Sequence, residues 1–471
     1  MPALTRRVFL QGSAVTAFAA LTAPAGDLAV SFGKADITPG LGTYLAGYAV
    51  DTPHAATGVN QPLWARCTVY WDQGRPIVVV TADVLGLPRS MNQMIRHGVQ
   101  SLGVAGSDFA LLATHTHTGP VLLDKLDPYI AYNISGGQMD SVLAYSSTLM
   151  STIVTLVRDT LSAVRIPCTL DHTVTAADFS VNREGLSYRE RDVPVLTARS
   201  LTGRPLAILF GYGCHPVSAG RQSLFDPDYP GAAVHRIETA SGAFAQFVPG
   251  AAGDQAPTGS RGWSLRDRLG RILGDAVLQA AQTPGRTLRG PIRTAYQDVD
   301  LPLDLADLPA MRQDYTRRLA EHRLGYYRRH AEMMIDQIDR HAFATTMPLP
   351  LQSWAVGDSL RLALIGGELV SGYAAYFRAR YPGIWVAAYA NEVPGYIPSD
   401  GLINSGGAQY YTCGWSTDYP RIAGGAMTVY GYAGKPLSRK PGTTTMGFEQ
   451  TLISSMTALL TPRPGVDSSQ I

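Results

Sequence analysis

Two hydrophobic periods take turns along this chain. Runs of alternating or continuous apolar residues bounded by turn residues predict strands, and apolar residues recurring at three and four predict helices. Residues 28–49, "LAVSFGKADITPGLGTYLAGYA", give short alternating runs broken by Gly and Pro. Residues 65–87, "ARCTVYWDQGRPIVVVTADVLGL", predict a β-hairpin turning at Asp72-Gln73-Gly74. "SMNQMIRHGVQSLG" (90–103) reads as a helix and "DFALLAT" (108–114) as a strand. A long helix is predicted around 138–165, then strands at "DVPVLTARS" (192–200) and "PLAILFGYG" (205–213). Helices follow near 230–241 and across 263–282. Residues 305–343 are amphipathic, rich in Arg and Tyr, and read as a surface helix or helical hairpin packed by its Leu, Met and Ile positions. Strand character returns at "RLALIGGEL" (361–369) and "IWVAAYAN" (384–391).

Interleaved strands and helices, with buried apolar strands beside hairpins, predict an α/β fold: a mixed β-sheet core flanked by helices. No low-complexity linker interrupts residues 30–460, so one large domain is expected over 26–461, with a disordered tail at 462–471.

Composition narrows the class. Of 471 residues 45% are hydrophobic and 16% charged, the usual balance of a soluble globular protein. The formal net charge is only +2, which argues against a nucleic-acid partner. The first 25 residues change the picture more. Arg6 and Arg7 precede Phe9-Leu10, a short alanine-rich apolar stretch and a small-residue end at Ala23-Pro24-Ala25. That order is a twin-arginine export signal, so a periplasmic or secreted location is expected. The twin-arginine route carries folded proteins, often with a cofactor already loaded. No other segment approaches ~20 uninterrupted apolar residues, so no stable membrane span is expected in the mature chain. Cys67, Cys168, Cys214 and Cys413 match no zinc-ribbon or CxxC spacing; an exported protein can pair them in three ways, among which the sequence does not choose, and for Cys214, next to His215, a buried free thiol is the plainer reading.

Three strand ends carry the candidate chemistry. "ALLATHTHTGP" places His115 and His117 after an apolar run; on a strand, residues two apart face the same side. His215 in "ILFGYGCHPVSAG" also follows an apolar run. Glu368 in "LALIGGELV" does the same, where an uncompensated buried carboxylate would be costly. His, His and Glu at separate strand ends match the donor types of a catalytic zinc site with an open position.

Six segments together resemble neutral ceramidases, zinc amidases that cleave the N-acyl bond of sphingoid lipids. They are "KADITPGLGTYLAGYA", "THTHTGP", "NREG" (182–185), "GCHPVSAG", "GGELVSGYAAYFR" and "ANEVPGYIPS", which keep order and approximate spacing from about residue 29 to 412. The resemblance implies one zinc ion on His115, His215, Glu368 and Tyr396. It implies His117 as either an acid/base histidine or one that stands behind the metal ligands, Arg183 facing the substrate carbonyl or polar head, and Tyr410, or its neighbour Tyr411, as a further site tyrosine. Asp254 matches the aspartate of the family's GDVSPN motif, here "GAAGDQAPTG".

The chain also departs from that family. Its active-site serine position is Ala256, and the nearest hydroxyl is Thr258, which a strand would point to the same face. The family's acidic and aromatic insertion after "NREG" is lacking, and nothing corresponds to its C-terminal immunoglobulin-like domain. The expectation is an exported zinc-dependent hydrolase acting on an N-acyl amide, ceramide-like in the most explicit form, through zinc-activated water. Two alternatives stand beside it: a zinc esterase, lactonase or amidase for a smaller polar substrate, and a non-catalytic metal- or ligand-binding homologue. The expected partner in each is a small molecule or a lipid.

Overall fold

The computed structural model describes residues 28–47, 54–123, 134, 136–321, 325–404, 421–422, 431–439, 442 and 444–461. The segment expected to be an export signal, the 462–471 tail, Tyr410, Tyr411 and Cys413 lie outside the described residues.

The larger sheet is nine-stranded and mixed. Its strands are β1 (Ala29–Asp36), β2 (Trp64–Asp72), β3 (Arg75–Ala82), β4 (Phe109–Ala113), β5 (Ile166–Ala176), β6 (Asp192–Ser200), β7 (Pro205–Tyr212) and β8 (Phe244–Pro249), with Arg286–Thr287 added on β5. They run in the order β8-β7-β6-β5-β1-β2-β3-β4. The pairs β3–β4 and β7–β8 are parallel, the others antiparallel. The predicted hairpin joins β2 and β3 through Gln73 and Gly74, whose φ of 51° and 85° make the primed turn that suits twisted strands. A smaller sheet contains β9 (Ile292–Asp304), β10 (Thr346–Val356), β11 (Leu360–Ile365) and β12 (Trp385–Ala387), in the order β12-β11-β10-β9.

Strand periodicity sorts side chains between layers. On β4, Phe109, Leu111 and Ala113 pack outward with Val78 and Val80 of β3 against α1 (Arg89–Gln100) and α2 (Gly137–Leu161), through Met91, Ile95, Leu149 and Ile153. Ala110 and Leu112 face the other way, into a core shared with Leu209, Val248, Trp354, Leu362 and Trp385, where the two sheets meet. Two further helices, α3 (Asp228–Ser241) and α4 (Trp263–Gln282), cover β6–β8 with Tyr229, Val234, Leu265 and Leu269. They pack closely because α4 carries Gly270, where a Cβ would stand 2.3 Å from that of Ala232. The hairpin of α5 (Leu308–Glu321) and α6 (Gly325–Asp339) makes a small core of its own around Met311, Tyr315 and Met334, in the segment read from sequence as a surface helix or helical hairpin. Next come α7 (Ser371–Arg380) and α8 (Phe448–Leu460), the latter placing Phe448, Leu452 and Met456 over the outer face of the small sheet.

The result is the expected mixed α/β architecture in layers: helices, large sheet, small sheet, helix. Among the described residues one helix, α2, is long and apolar enough to cross a membrane. Its apolar stripe is packed against the large sheet. Cys67, Cys168 and Cys214 are buried free thiols, as expected of Cys214.

Candidate metal centre

Strand β4 ends at Ala113, before the first histidine. His115 adopts φ +65°, so the shared-face argument for residues two apart does not describe how its ring and that of His117 meet. A turned loop brings them together instead. Thr116 and Thr118 both donate their hydroxyls to the carbonyl of Asp226 at 2.6 Å. The alternation Thr-His-Thr-His-Thr thus anchors the loop on one side and presents imidazoles on the other. His115 Nδ1 lies 2.6 Å from the Leu85 carbonyl, and His117 Nδ1 lies 2.9 Å from that of Gly47. The residue at 47 must be glycine, since a Cβ there would fall 2.2 Å from the Cβ of His117.

His215 follows β7 in the same way that His115 follows β4. Its Nδ1 sits 2.7 Å from the Ala252 carbonyl. Glu368 and Tyr396, distant in sequence, meet across a two-residue parallel pairing of Glu368–Leu369 with Tyr396–Ile397. Their oxygens close the group. His115 Nε2 and His215 Nε2 are 3.1 Å apart, and Glu368 Oε2 lies 3.1 Å from the first and 3.2 Å from the second. The Tyr396 hydroxyl is 3.5 Å from His215 Nε2 and accepts a 2.8 Å hydrogen bond from Arg183, which also donates to the Gly253 carbonyl. His117 stands edge-on to His115, and donor atoms of the three histidines lie within 4.8 Å of one another. All three histidines, Glu368 and Tyr396 are buried.

The donor set of this arrangement fits a cation. Each Nδ1–H is committed to a backbone carbonyl, which fixes the tautomer and turns the Nε2 lone pair inward. Two such lone pairs and a carboxylate oxygen then converge with no proton between them. A proton on His215 is disfavoured, because burial and then the Arg183 charge push its imidazole down to about 3. Burial, with the neighbouring His115 and His215 rings, also holds His117 well below its ordinary value. A divalent metal ion satisfies all three acceptors at once. Their spacing approaches the roughly 3.3 Å between neighbouring ligand atoms around zinc with bonds of about 2.0–2.1 Å.

The other expected site residues surround this triangle. The Asp254 carboxylate accepts from the Ser371 amide at 2.7 Å, the Ser371 hydroxyl at 2.8 Å and Asn182 Nδ2 at 2.8 Å. Its backbone carbonyl accepts from the Arg183 amide at 2.8 Å. Asp254 therefore braces the loop carrying Arg183 against the start of α7. Ala256 lies on the strand Gln255–Pro257, opposite Val181 on Ser180–Asn182. Thr258 does not replace the missing hydroxyl in that strand: pairing ends at Pro257, and Thr258 is exposed beside the Phe179 carbonyl.

Tyr389 escaped the sequence reading. Its ring centroid is 4.2 Å from that of His115, tilted by 35°, on a residue with φ +57° that is fully buried. An aromatic ending "IWVAAYAN" was its only trace. The carbonyls of Leu85, Ala252 and Gly47 left none, since every residue has one.

No protein-family profile matches the chain, and no curated protein does. Solved structures do. The crystal structure of neutral ceramidase from Pseudomonas aeruginosa matches with a TM-score of 0.63 at 20% identity, over 86% of this chain and 71% of that one. A second, described as ceramidase complexed with C2, gives 0.62 at 18% identity over 84% of this chain and 72% of the other. The chain therefore has a ceramidase-like fold.

Proposed function

We infer that on this fold the chain is a zinc-dependent hydrolase that cleaves an N-acyl amide, with a ceramide-like lipid as the leading substrate. The observation that carries the reading is the buried triangle of His115 Nε2, His215 Nε2 and Glu368 Oε2, with both Nδ1 atoms already tied to carbonyls. His115, His215, Glu368 and Tyr396 would hold the ion. Bound zinc supplies a Lewis acid for the scissile carbonyl and lowers the pKa of water towards 7, which hydrolysis of an unactivated amide requires.

The chain's own groups supply the rest. His117 presents Nε2 beside the triangle with Nδ1 fixed by Gly47, so it can carry a proton to the leaving amine. Arg183 holds the Tyr396 oxygen in place and brings a positive charge to the side where carbonyl charge develops. Ala256 offers no nucleophile, so the attacking group is water. Export by the twin-arginine route belongs to the same reading.

A second reading draws on Ala256 and on the direct run of the chain from Arg183 into β6. Both alter the surroundings that would handle a long acyl chain, and they favour a smaller ester, lactone or amide. Elemental analysis and a substrate panel test both. One equivalent of zinc, lost in His215→Ala, together with hydrolysis of a fluorogenic N-acyl-sphingosine supports the first. Zinc with turnover only of short acyl amides, esters or lactones supports the second. A purified protein that takes up no metal overturns both, and one that binds zinc without hydrolysing anything in the panel is a non-catalytic homologue.

A further inference from the structure

The loops that carry the three histidines share one support, the turn Asp226-Pro227-Asp228-Tyr229 at the start of α3. On one side the Asp226 carbonyl accepts the hydroxyls of Thr116 and Thr118, and its amide donates to the Thr118 carbonyl at 3.3 Å. On the other side the Asp228 carboxylate takes the loop after His215. Its Oδ1 accepts from the Ser218 amide at 3.1 Å and from the Ser218 hydroxyl, and its Oδ2 accepts from the Ala219 amide at 2.9 Å. The Tyr229 hydroxyl completes the grip by donating to the carbonyl of Cys214, the residue before His215. Direct contact between the backbones of the two loops is slight, the His117 amide standing 3.5 Å from the Pro216 carbonyl.

The turn is built to hold its shape. Asp226 is fully buried, and its carboxylate accepts from Arg266 of α4 at 2.9 and 3.1 Å, from Asn60 at 2.8 Å and from the Asp228 amide at 2.7 Å. Asp228 adopts φ +54°, in the left-handed region that a non-glycine residue keeps only when its surroundings hold it there. Gly231 lies one helical turn on, where a Cβ would fall 2.1 Å from the Pro227 ring. Ser218, Ala219 and Tyr229 answer the buried Asp228 carboxylate with four hydrogen bonds, three of them from backbone amides.

We propose that Asp228 is a positioning residue for the candidate metal centre. Its carboxylate holds the His215 loop and its amide holds Asp226, so it sets the separation between His215 and the pair His115 and His117. The inference rests on the zinc reading of the site. Ligand atoms have to be kept within about 0.5 Å of their working geometry, and loops do this only when other groups lock them.

Asp228→Asn tests the carboxylate while keeping a residue type that accepts left-handed backbone, since its NH2 would face an amide donor. The readouts are zinc affinity by chelator competition, the visible ligand-field spectrum of the cobalt(II) form, and melts of the metal-free protein. Asp228→Asn is expected to weaken zinc at least about tenfold and to shift the cobalt bands. Arg199→Met is the control. It breaks a buried pair with Asp171 at the far end of β7, where Arg199 faces Pro205. It should lower the melting temperature and leave both metal readouts unchanged. A folded Asp228→Asn protein with wild-type zinc affinity and cobalt spectrum overturns the proposal and leaves the zinc reading intact. The same metal defects in Arg199→Met also overturn it, because lost stability alone would then explain them. A wild type that takes up no metal overturns both. Should Asp228→Asn fail to fold, Ser218→Ala takes its place: shifted cobalt bands support the proposal, and an unchanged spectrum overturns it.

Discussion

At the scale of single residues the site depends on atoms that hold other atoms. Gly47 is the clearest case, because its carbonyl orients His117 and its missing side chain lets His117 in. Gly47→Ala should displace the ring by about an ångström and lower kcat about 10²-fold, with zinc content unchanged. Steady-state kinetics beside elemental analysis checks this. Tyr389 packs on the ring of His115, so Tyr389→Leu should loosen that ligand and weaken zinc affinity by about tenfold, read by chelator competition. Asp83 makes a pH-dependent contribution. Burial pushes its folded-state carboxyl up to about 6 from 3.8, against the Trp64 amide, the Arg66 charge and the Thr114 hydroxyl. A raised acid favours the folded state when protonated, so its contribution is full below about pH 4 and is lost as pH rises through about 6. The shift corresponds to roughly 3 kcal/mol. Asp83→Asn should therefore flatten the fall in stability between pH 4 and 6, measured by denaturant melts across that range.

At the scale of elements, each candidate ligand except Tyr396 follows a strand with a parallel neighbour: His115 after β4, His215 after β7 and Glu368 after β11. Parallel strands end together, so their following loops converge. The sequence pattern located those ends well, since apolar runs stop where the sheet stops. It could not show that the strand Tyr396–Ile397 would lie beside Glu368–Leu369, because a two-residue pairing has no periodicity. Helix α7 depends on a different contact. Arg378 makes a bidentate pair with fully buried Glu190 at 2.8 and 2.9 Å, clamping α7 to the segment that leads into β6. Arg378→Met would leave Glu190 buried and unpaired and should cost about 3–5 kcal/mol. Adding Glu190→Gln should recover much of that loss in a double-mutant cycle read by chemical denaturation.

Across the whole molecule the candidate metal centre joins two layers. His115 and His215 follow strands of the large sheet and Glu368 follows a strand of the small one, so an ion held by all three would tie the two sheets together. Zinc at a thousandfold excess over its Kd should raise stability by about 4 kcal/mol. EDTA should lower the melting temperature of the wild type but not that of His215→Ala, as scanning calorimetry would show. The sequence by itself marked many of the strands and helices, because period and turn residues act locally, but its reading did not include β5, β9, β10 or α8. It also marked His115, His215 and Glu368, because a polar residue capping an apolar run is conspicuous. The tertiary structure alone decided which nitrogen of each histidine faces the site, through the carbonyls of Leu85, Gly47 and Ala252. It likewise decided that Asp254 braces loops, that Tyr389 supports His115, and that Asp228 reaches the loop after His215. Those outcomes depend on distances between segments far apart in the chain, and one-dimensional patterning carries no measure of such distances.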